Sequence, residues 1–84
     1  MKVKELLHSW RRSSDSDRID IYAVDWKIIE LVKDTYKEVK YEKICKYLDC
    51  DVEMFFEKNE TIFINGKETK VNTLNIKINA IYAL

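Results

Sequence analysis

The sequence predicts an α+β domain in which three or four helices are followed by a β-hairpin or a three-stranded antiparallel sheet. Two observations carry this prediction. Apolar residues recur mostly at helical spacing from Val3 to Phe56, whereas apolar and polar residues alternate from Thr61 onward. The chain of 84 residues is long enough for one core only, so residues 1–84 are expected to form a single domain.

The first predicted element is a helix within residues 1–12. Val3, Leu6, Leu7 and Trp10 fall at positions i, i+3, i+4 and i+7, which places them along one apolar stripe. This stripe predicts a helix that docks on the rest of the domain. Residues 13–17 follow as a linker, because short polar side chains such as those of "SSDSD" bond to their own backbone and compete with helix.

Residues 18–60 are predicted to be the helical part. "RIDIYAVDWKIIELVKDTYKEV" is interpreted as one helix ending near Lys37, with Asp17 as a possible cap, although "RIDIYAV" alone also alternates like a strand. "YEKICKYL" predicts a further helix. Asp51 is expected to cap a short last helix in which Val52, Phe55 and Phe56 face inward.

Residues 61–84 are predicted to be β-structure. Asn65-Gly66 contains the only glycine of the chain and stands between two β-prone runs. Both residue types accept the positive φ of a type I′ turn, so the pair predicts a hairpin. After a possible bend at Asn72-Thr73, the alternation from Leu74 to Leu84 predicts a half-buried last strand.

Composition excludes several classes of function. Fifteen basic and fifteen acidic side chains cancel, so no global field draws the chain to nucleic acid or to an anionic membrane. No segment has the length and apolar character of a membrane span or of a secretory signal. The sequence therefore predicts a cytoplasmic protein with reduced cysteines and without a membrane partner.

Catalytic, metal and cofactor sites are not expected. Cys45, Cys50 and the single histidine, His8, do not form a zinc-binding pattern. The acidic residues from Asp49 to Glu60 match part of the EF-hand spacing, but Met54 stands where that calcium loop requires glycine. The single glycine also rules out a glycine-rich phosphate loop. We predict a non-enzymatic protein that needs no cofactor, metal or small molecule.

Residues 24–72 resemble the winged helix-turn-helix superfamily. The resemblance is carried by "YEKICKYLDCDVEMF", in which Leu48 would end one helix, Cys50 would fill the core from the turn and Asp51 would cap the next helix, and by the "INGKETKV" hairpin as the wing. It implies a winged-helix-like fold and a DNA-binding third helix. Asp49 departs from the family pattern, which often has glycine there, and the third helix would be short.

The leading functional prediction is protein–protein binding. The residues that would point outward from the predicted third helix, Glu53, Met54 and Glu57, are mostly acidic, and carboxylates repel phosphates. We therefore predict that this helix, or the edge of the apolar last strand "INAIYAL", binds a protein partner or a second copy in a homodimer.

Two alternatives remain open at this stage. The first is a winged-helix transcriptional regulator that binds double-stranded DNA, with phosphate contacts made by Arg11, Arg12, Lys67 and Lys70. The second is a small viral or plasmid protein that inhibits a host factor, which the small size and the abundance of Lys, Ile, Asn and Tyr allow.

Overall fold

A computed structural model describes residues 1–11, 16–79 and 81. Its elements in chain order are a helix α1 (Val3–Ser9), two strands β1 (Arg18–Val24) and β2 (Ile28–Thr35), a one-turn helix α2 (Tyr41–Ile44) continued by a 3-10 turn (Cys45–Tyr47), and two long strands β3 (Val52–Ile64) and β4 (Lys67–Ile78). Strands thus dominate the described part of the chain.

The four strands form one mixed sheet in the order β2-β1-β4-β3. β1 and β4 are parallel neighbours in the centre, and each pairs with its antiparallel hairpin partner on the outside. β4 pairs with β1 only from Thr73 to Ile78. The remainder of the β3–β4 hairpin, residues 60–71, therefore extends past β1 as a two-stranded ribbon, the β3–β4 ribbon.

The core lies between the sheet and the helical segments. Ile19, Ile21 and Ala23 of β1 alternate with more polar residues and are buried, and Leu74, Ile76 and Ile78 lie beside them on β4. Val3, Leu6, Tyr47 and Cys50 belong to the same buried cluster. We call this side the helix-covered face, and we call the opposite side, which carries Asp20, Tyr22, Thr73, Asn75 and Phe56, the polar face.

The first helix is confirmed. Val3 and Leu6 are buried in the core, and Leu7 and Trp10 pack against it, as the apolar stripe predicts. The backbone N–H of Lys2 donates to the Glu5 carboxylate at 2.9 Å, which satisfies one amide at the helix start. The linker falls largely outside the described residues, which resume at Ser16.

The Asn65-Gly66 hairpin is confirmed. Both turn residues have positive φ, 53° and 77°, and Ile64 pairs with Lys67 across the turn. Alternation in the last strand is confirmed as far as Ile78, whereas Ala80 and Tyr82–Leu84 lie outside the described residues. The bend predicted at Asn72-Thr73 is absent, since β4 runs straight through it.

The predicted fold class is wrong, because strands occupy most of the region expected to be helical. The predicted helix over residues 18–37 is instead β1, a turn and β2; the alternation of "RIDIYAV" was the correct signal. Asp17 caps no helix. In residues 41–60, where the sequence predicts two helices, only residues 41–47 are helical.

The predicted third helix is also wrong, because Val52–Glu60 is the first part of β3. Asp51 does not cap a helix but forms an isolated antiparallel β-bridge with Lys2 through the backbone. Cys50 is buried in the core as expected. A sheet of four strands with two short helices does not fit a winged helix-turn-helix fold, so a DNA-reading helix at this position is excluded.

One structural finding bears on membranes. Within residues 1–11, 16–79 and 81, no helix is long and apolar enough to cross a bilayer.

Candidate interaction surface

Strand β3 forms one edge of the sheet and exposes large apolar side chains. Met54, Phe55, Phe56 and Phe63 are 44–73% exposed. β3 is 13 residues long, and among the described strands it pairs only with β4. Proteins normally protect a long edge strand with charge, proline or bulges, because its free backbone groups pair readily with other chains.

The turn geometry shows which backbone groups of β3 point outward. In a hairpin with a two-residue turn, the residues flanking the turn exchange both backbone hydrogen bonds, and such pairs recur at every second position. Ile64 and Lys67 flank this turn. Even-numbered residues from Met54 to Ile64 therefore bond to β4, while the N–H and C=O groups of the odd-numbered residues from Phe55 to Phe63 point away from it.

The N-terminus limits this edge at its beginning. The Val52 N–H donates to the Met1 carbonyl at 2.9 Å, and Lys2 bridges to Asp51. The ion pair between Lys2 Nζ and Asp51 Oδ1, at 3.0 Å, lies at the same position. A bulge between Val52 and Met54 follows directly. The edge available for pairing is therefore residues 54–64, which we call the β3 edge.

The structure does not unite the three predicted protein-binding residues on one surface. Met54 lies on the polar face opposite Lys77, whereas Glu57 lies on the helix-covered face opposite Leu74. Glu57 accepts a hydrogen bond of 2.7 Å from the Trp10 indole N–H. Glu53 lies in the bulge and pairs with Lys77 at 3.5 Å. All three are exposed, but as part of a strand and not of a helix.

Within the predicted basic patch, the two lysines do not lie together. Lys67 and Lys70 are exposed on the β3–β4 ribbon, and their separation of three residues along a strand places them on opposite faces. Arg11 is exposed after α1, and Arg12 lies outside the described residues. Lys67 and Lys70 therefore do not share a face on which both could bind one phosphate.

The predicted last strand, from Leu74, is paired on both sides as far as Ile78. β4 lies between β1 and β3, so from Thr73 to Ile78 both of its backbone edges are paired. The end of "INAIYAL" falls largely outside the described residues. Beside this part of β4, the outer edge of the hairpin belongs to its other strand, β3.

The polar face carries three carboxylates near its centre. Burial, followed by a hydrogen bond with Glu30 and its charge, raises the pKa of Asp20 to about 6, and Glu60 adds a weaker repulsion. Lys33 approaches Asp20 at 4.0 Å and partly offsets this. Thr73 donates its hydroxyl to Glu60 at 2.7 Å. Negative charge at this position disfavours phosphate binding across the sheet.

The other titratable groups do not assemble a site. Burial raises the pKa of the Cys50 thiol. The neighbouring carboxylates of Asp49 and Asp51 also raise this pKa, by a smaller amount. Cys45 is an exposed free thiol. Within the described part of the chain, no group of three or more His, Cys, Asp or Glu side chains is arranged to hold a metal ion.

Comparison with known proteins does not assign this chain to a family. No family model matches it, and neither the curated proteins nor the solved structures provide a match.

Sequence reasoning missed Phe55, Phe56 and Phe63 as surface residues, although a signal for them exists. The Asn65-Gly66 turn requires two strands that pair outward from it, and alternation in the second strand extends to Ile78. Its partner must then reach back to about Val52, as observed. In that strand, adjacent Phe55 and Phe56 cannot both face the core.

Proposed function

We propose that this protein is a non-enzymatic protein-interaction module that binds an extended segment of another polypeptide along the β3 edge. The bound segment would add a fifth strand beside β3. Its backbone would bond to the outward-facing groups of the odd-numbered residues, and its side chains would meet the exposed apolar residues of β3.

The observation that carries this proposal is the combination of free backbone groups and exposed apolar side chains on one strand. Phe63 is 73% exposed and Met54, Phe55 and Phe56 are 44–49% exposed. Each would lose water-exposed area when a neighbouring strand forms, which favours association. Aromatic and β-branched cross-strand pairs add further stabilisation.

The distribution of charge supports a polypeptide over DNA as the partner. β3 carries both signs, with Lys58 among Glu53, Glu57 and Glu60. Lys67 and Lys70 lie on opposite faces of the ribbon, and the polar face holds Asp20 beside Glu30 and Glu60. Phosphate binding requires cations that converge on one surface.

The experiment is selection of extended peptides from a displayed random library on the full-length protein. We expect selected peptides to bind the wild type and to lose affinity on Thr61→Pro. Proline removes an N–H that points away from β4, so it blocks strand addition while leaving the β3–β4 ladder intact. Lys37→Glu, in the turn after β2, is the control surface variant, and binding should persist in it.

Amide hydrogen exchange locates the bound peptide. Strand addition predicts new protection at the odd-numbered amides of β3, including Asn59 and Thr61. The even-numbered amides should be protected with or without peptide, because they already bond to β4. Peptides that bind Thr61→Pro as well as the wild type, or that protect amides outside β3, would refute strand addition at this edge.

A further inference from the structure

We infer that the partner of the β3 edge is a second copy of this chain, paired antiparallel to it about a two-fold axis through Asn59. This inference rests on the proposed function, since it names the occupant of the same edge. The product would be a symmetric dimer with one continuous eight-stranded sheet. Such an interface is isologous, so each residue contact occurs twice.

Symmetry restricts the possible registers. Side chains directly opposite each other in an antiparallel pair point to the same face of the sheet. A two-fold axis perpendicular to the sheet must then run between the two copies of one residue, so that this residue lies opposite itself. An axis placed between two successive residues would put side chains from different faces opposite each other. Near the middle of β3 the axis could pass through Glu57, Lys58, Asn59 or Glu60.

Charge selects Asn59 among these four. An axis through Glu57, Lys58 or Glu60 places that residue opposite its own copy, and like charges directly opposite each other are destabilising. An axis through Phe56 or Thr61 shortens the overlap and places Lys58 opposite an apolar residue. Asn59 is uncharged, and its amide both donates and accepts hydrogen bonds.

The Asn59 register also matches the flanking side chains. Lys58 lies opposite Glu60 of the second copy, and by symmetry Glu60 lies opposite the second Lys58. Lys58 makes no ion pair within the described part of the chain, so it is available for this contact. Glu57 lies opposite Thr61, and the three outer pairs are apolar: Phe56 with Ile62, Phe55 with Phe63, and Met54 with Ile64.

The shape of the sheet fits the same register. β1 supports β4 only from Thr73 onward, and Thr73 pairs with Lys58. Residues 54–58 of β3 therefore belong to the four-stranded body, and residues 60–64 belong to the projecting ribbon. The register places the ribbon of each copy beside the body of the other. It ends at Met54, just before Met1 and Lys2 occupy the edge.

Sedimentation equilibrium of the full chain, over about two decades of protein concentration, measures the association. We expect a reversible monomer–dimer equilibrium. Hydrogen exchange at the two ends of this range should show amide protection of Phe55, Asn59 and Thr61 that grows with dimer content, while protection of Lys58 and Ile62 stays constant.

Charge variants test the register. Lys58→Glu replaces two attractive pairs by two repulsive ones and should weaken dimerisation about tenfold. The double variant Lys58→Glu with Glu60→Lys restores opposite charges and should recover most of the affinity. Lys37→Glu makes the same change in net charge away from β3 and should dimerise like the wild type. Unfolding curves of each variant confirm that it is folded.

Each outcome decides the inference. A dimer whose protection and charge response match these expectations establishes the register. A monomer at every concentration, a dimer unaffected by Lys58→Glu, or a dimer that protects other amides overturns it. If the protein is monomeric but the selected peptides still protect the β3 edge, only the second copy is rejected. If no peptide protects that edge either, the proposed function fails as well.

Discussion

The two edge strands of the sheet, β2 and β3, differ in how they face a neighbouring chain. β2 is 8 residues long, has a bulge in its pairing with β1, and carries Glu30, Lys33 and Asp34. β3 is 13 residues long and exposes four large apolar side chains. Short strands and bulges keep an edge from pairing. β2 is short and bulged within its pairing with β1, whereas the bulge of β3 precedes residues 54–64 and leaves that longer stretch regular, although both strands carry charged side chains. This difference between the edges is the basis of the proposal that the β3 edge binds a partner.

Both edges are nevertheless tied to the helical layer. At β3, the Trp10 indole donates to Glu57, and the Trp10 ring makes an edge-to-face contact with Tyr36 at 5.8 Å. At β2, Lys43 of α2 pairs with Asp34 at 2.9 Å. The helical segments therefore hold one side of each edge strand, and the difference between the edges lies in the groups that point outward.

The largest expected effect is on stability, and it distinguishes proline substitutions at inward-facing and outward-facing amides of β3. Ile62→Pro removes an N–H that bonds to β4 and should lower the free energy of unfolding by about 2–4 kcal/mol. Thr61→Pro removes an outward N–H and should cost less than about 1 kcal/mol in the monomer. Urea unfolding at low protein concentration measures both. Equal losses would show that the assignment of inward and outward groups is wrong.

The next effect concerns Asp20, on the strand adjacent to β2. Its pKa rises from 3.8 to about 6 on folding, so the folded state binds more protons than the unfolded state between these values. Stability contributed by this group is therefore lost as pH rises from about 4 to about 6. Asp20→Asn removes the buried charge and should stabilise the protein by about 1–3 kcal/mol near neutral pH, with no gain near pH 3.5.

Asp49 provides the matched control for this pH dependence. Lys4, at 2.8 Å, holds the pKa of the exposed Asp49 carboxyl below its usual value through a hydrogen bond and its charge. Asp49→Asn should therefore destabilise the protein slightly at neutral pH, and this effect should fade as the pH falls below 4. Urea unfolding across pH measures both variants. A stabilising Asp49→Asn, or an Asp20→Asn gain that persists at low pH, would contradict these assignments.

A smaller effect is expected where helix and edge meet. Trp10→Phe keeps an aromatic ring beside Tyr36 but removes the hydrogen bond to Glu57, and should cost about 1 kcal/mol. Leu7→Ala, within α1, removes core packing but leaves the Trp10–Glu57 hydrogen bond in place and serves for comparison. Thermal unfolding measures the stability, and exchange of the Glu57 amide reports on the strand. An unchanged stability in Trp10→Phe would show that the contact does not hold α1 to β3.

The smallest effect on stability should come from Phe63→Lys. Because Phe63 is 73% exposed, the free energy of unfolding of the monomer should change by less than about 0.5 kcal/mol. Association through β3 should nevertheless weaken, since a charge now stands on the edge. Ile28→Lys is the control, because Ile28 is similarly exposed on β2 and should leave association unchanged. Sedimentation measures association, and equal effects of the two variants would remove the distinction between the edges.

Local patterns predicted the elements whose partners lie nearby in sequence. α1 follows from the apolar stripe of Val3, Leu6, Leu7 and Trp10, and the β3–β4 turn follows from the conformational freedom of Asn65 and Gly66. In both cases the determining interactions span only a few residues, so the sequence signal and the structural cause coincide.

Residues 52–60 were mispredicted because their conformation depends on a distant partner. Val52, Phe55 and Phe56 fit a helical face, but these residue types also favour strands. Pairing with β4 decides between the two, since these residues lie opposite β4 along the strand, with Phe55 opposite Ile76. The same pairing separates Met54 and Glu57, which a helix would have placed on one face.

The sequence by itself determined where the core residues of α1 and of the alternating strands lie and where the last hairpin turns, because periodicity and turn chemistry are local. Only the tertiary structure decided that β1 joins β4 in parallel and leaves β3 at the edge. That pairing joins segments far apart in the chain, and no local pattern specifies it. The candidate surface arises from this choice, because the same strand buried in the centre of the sheet would have no free edge.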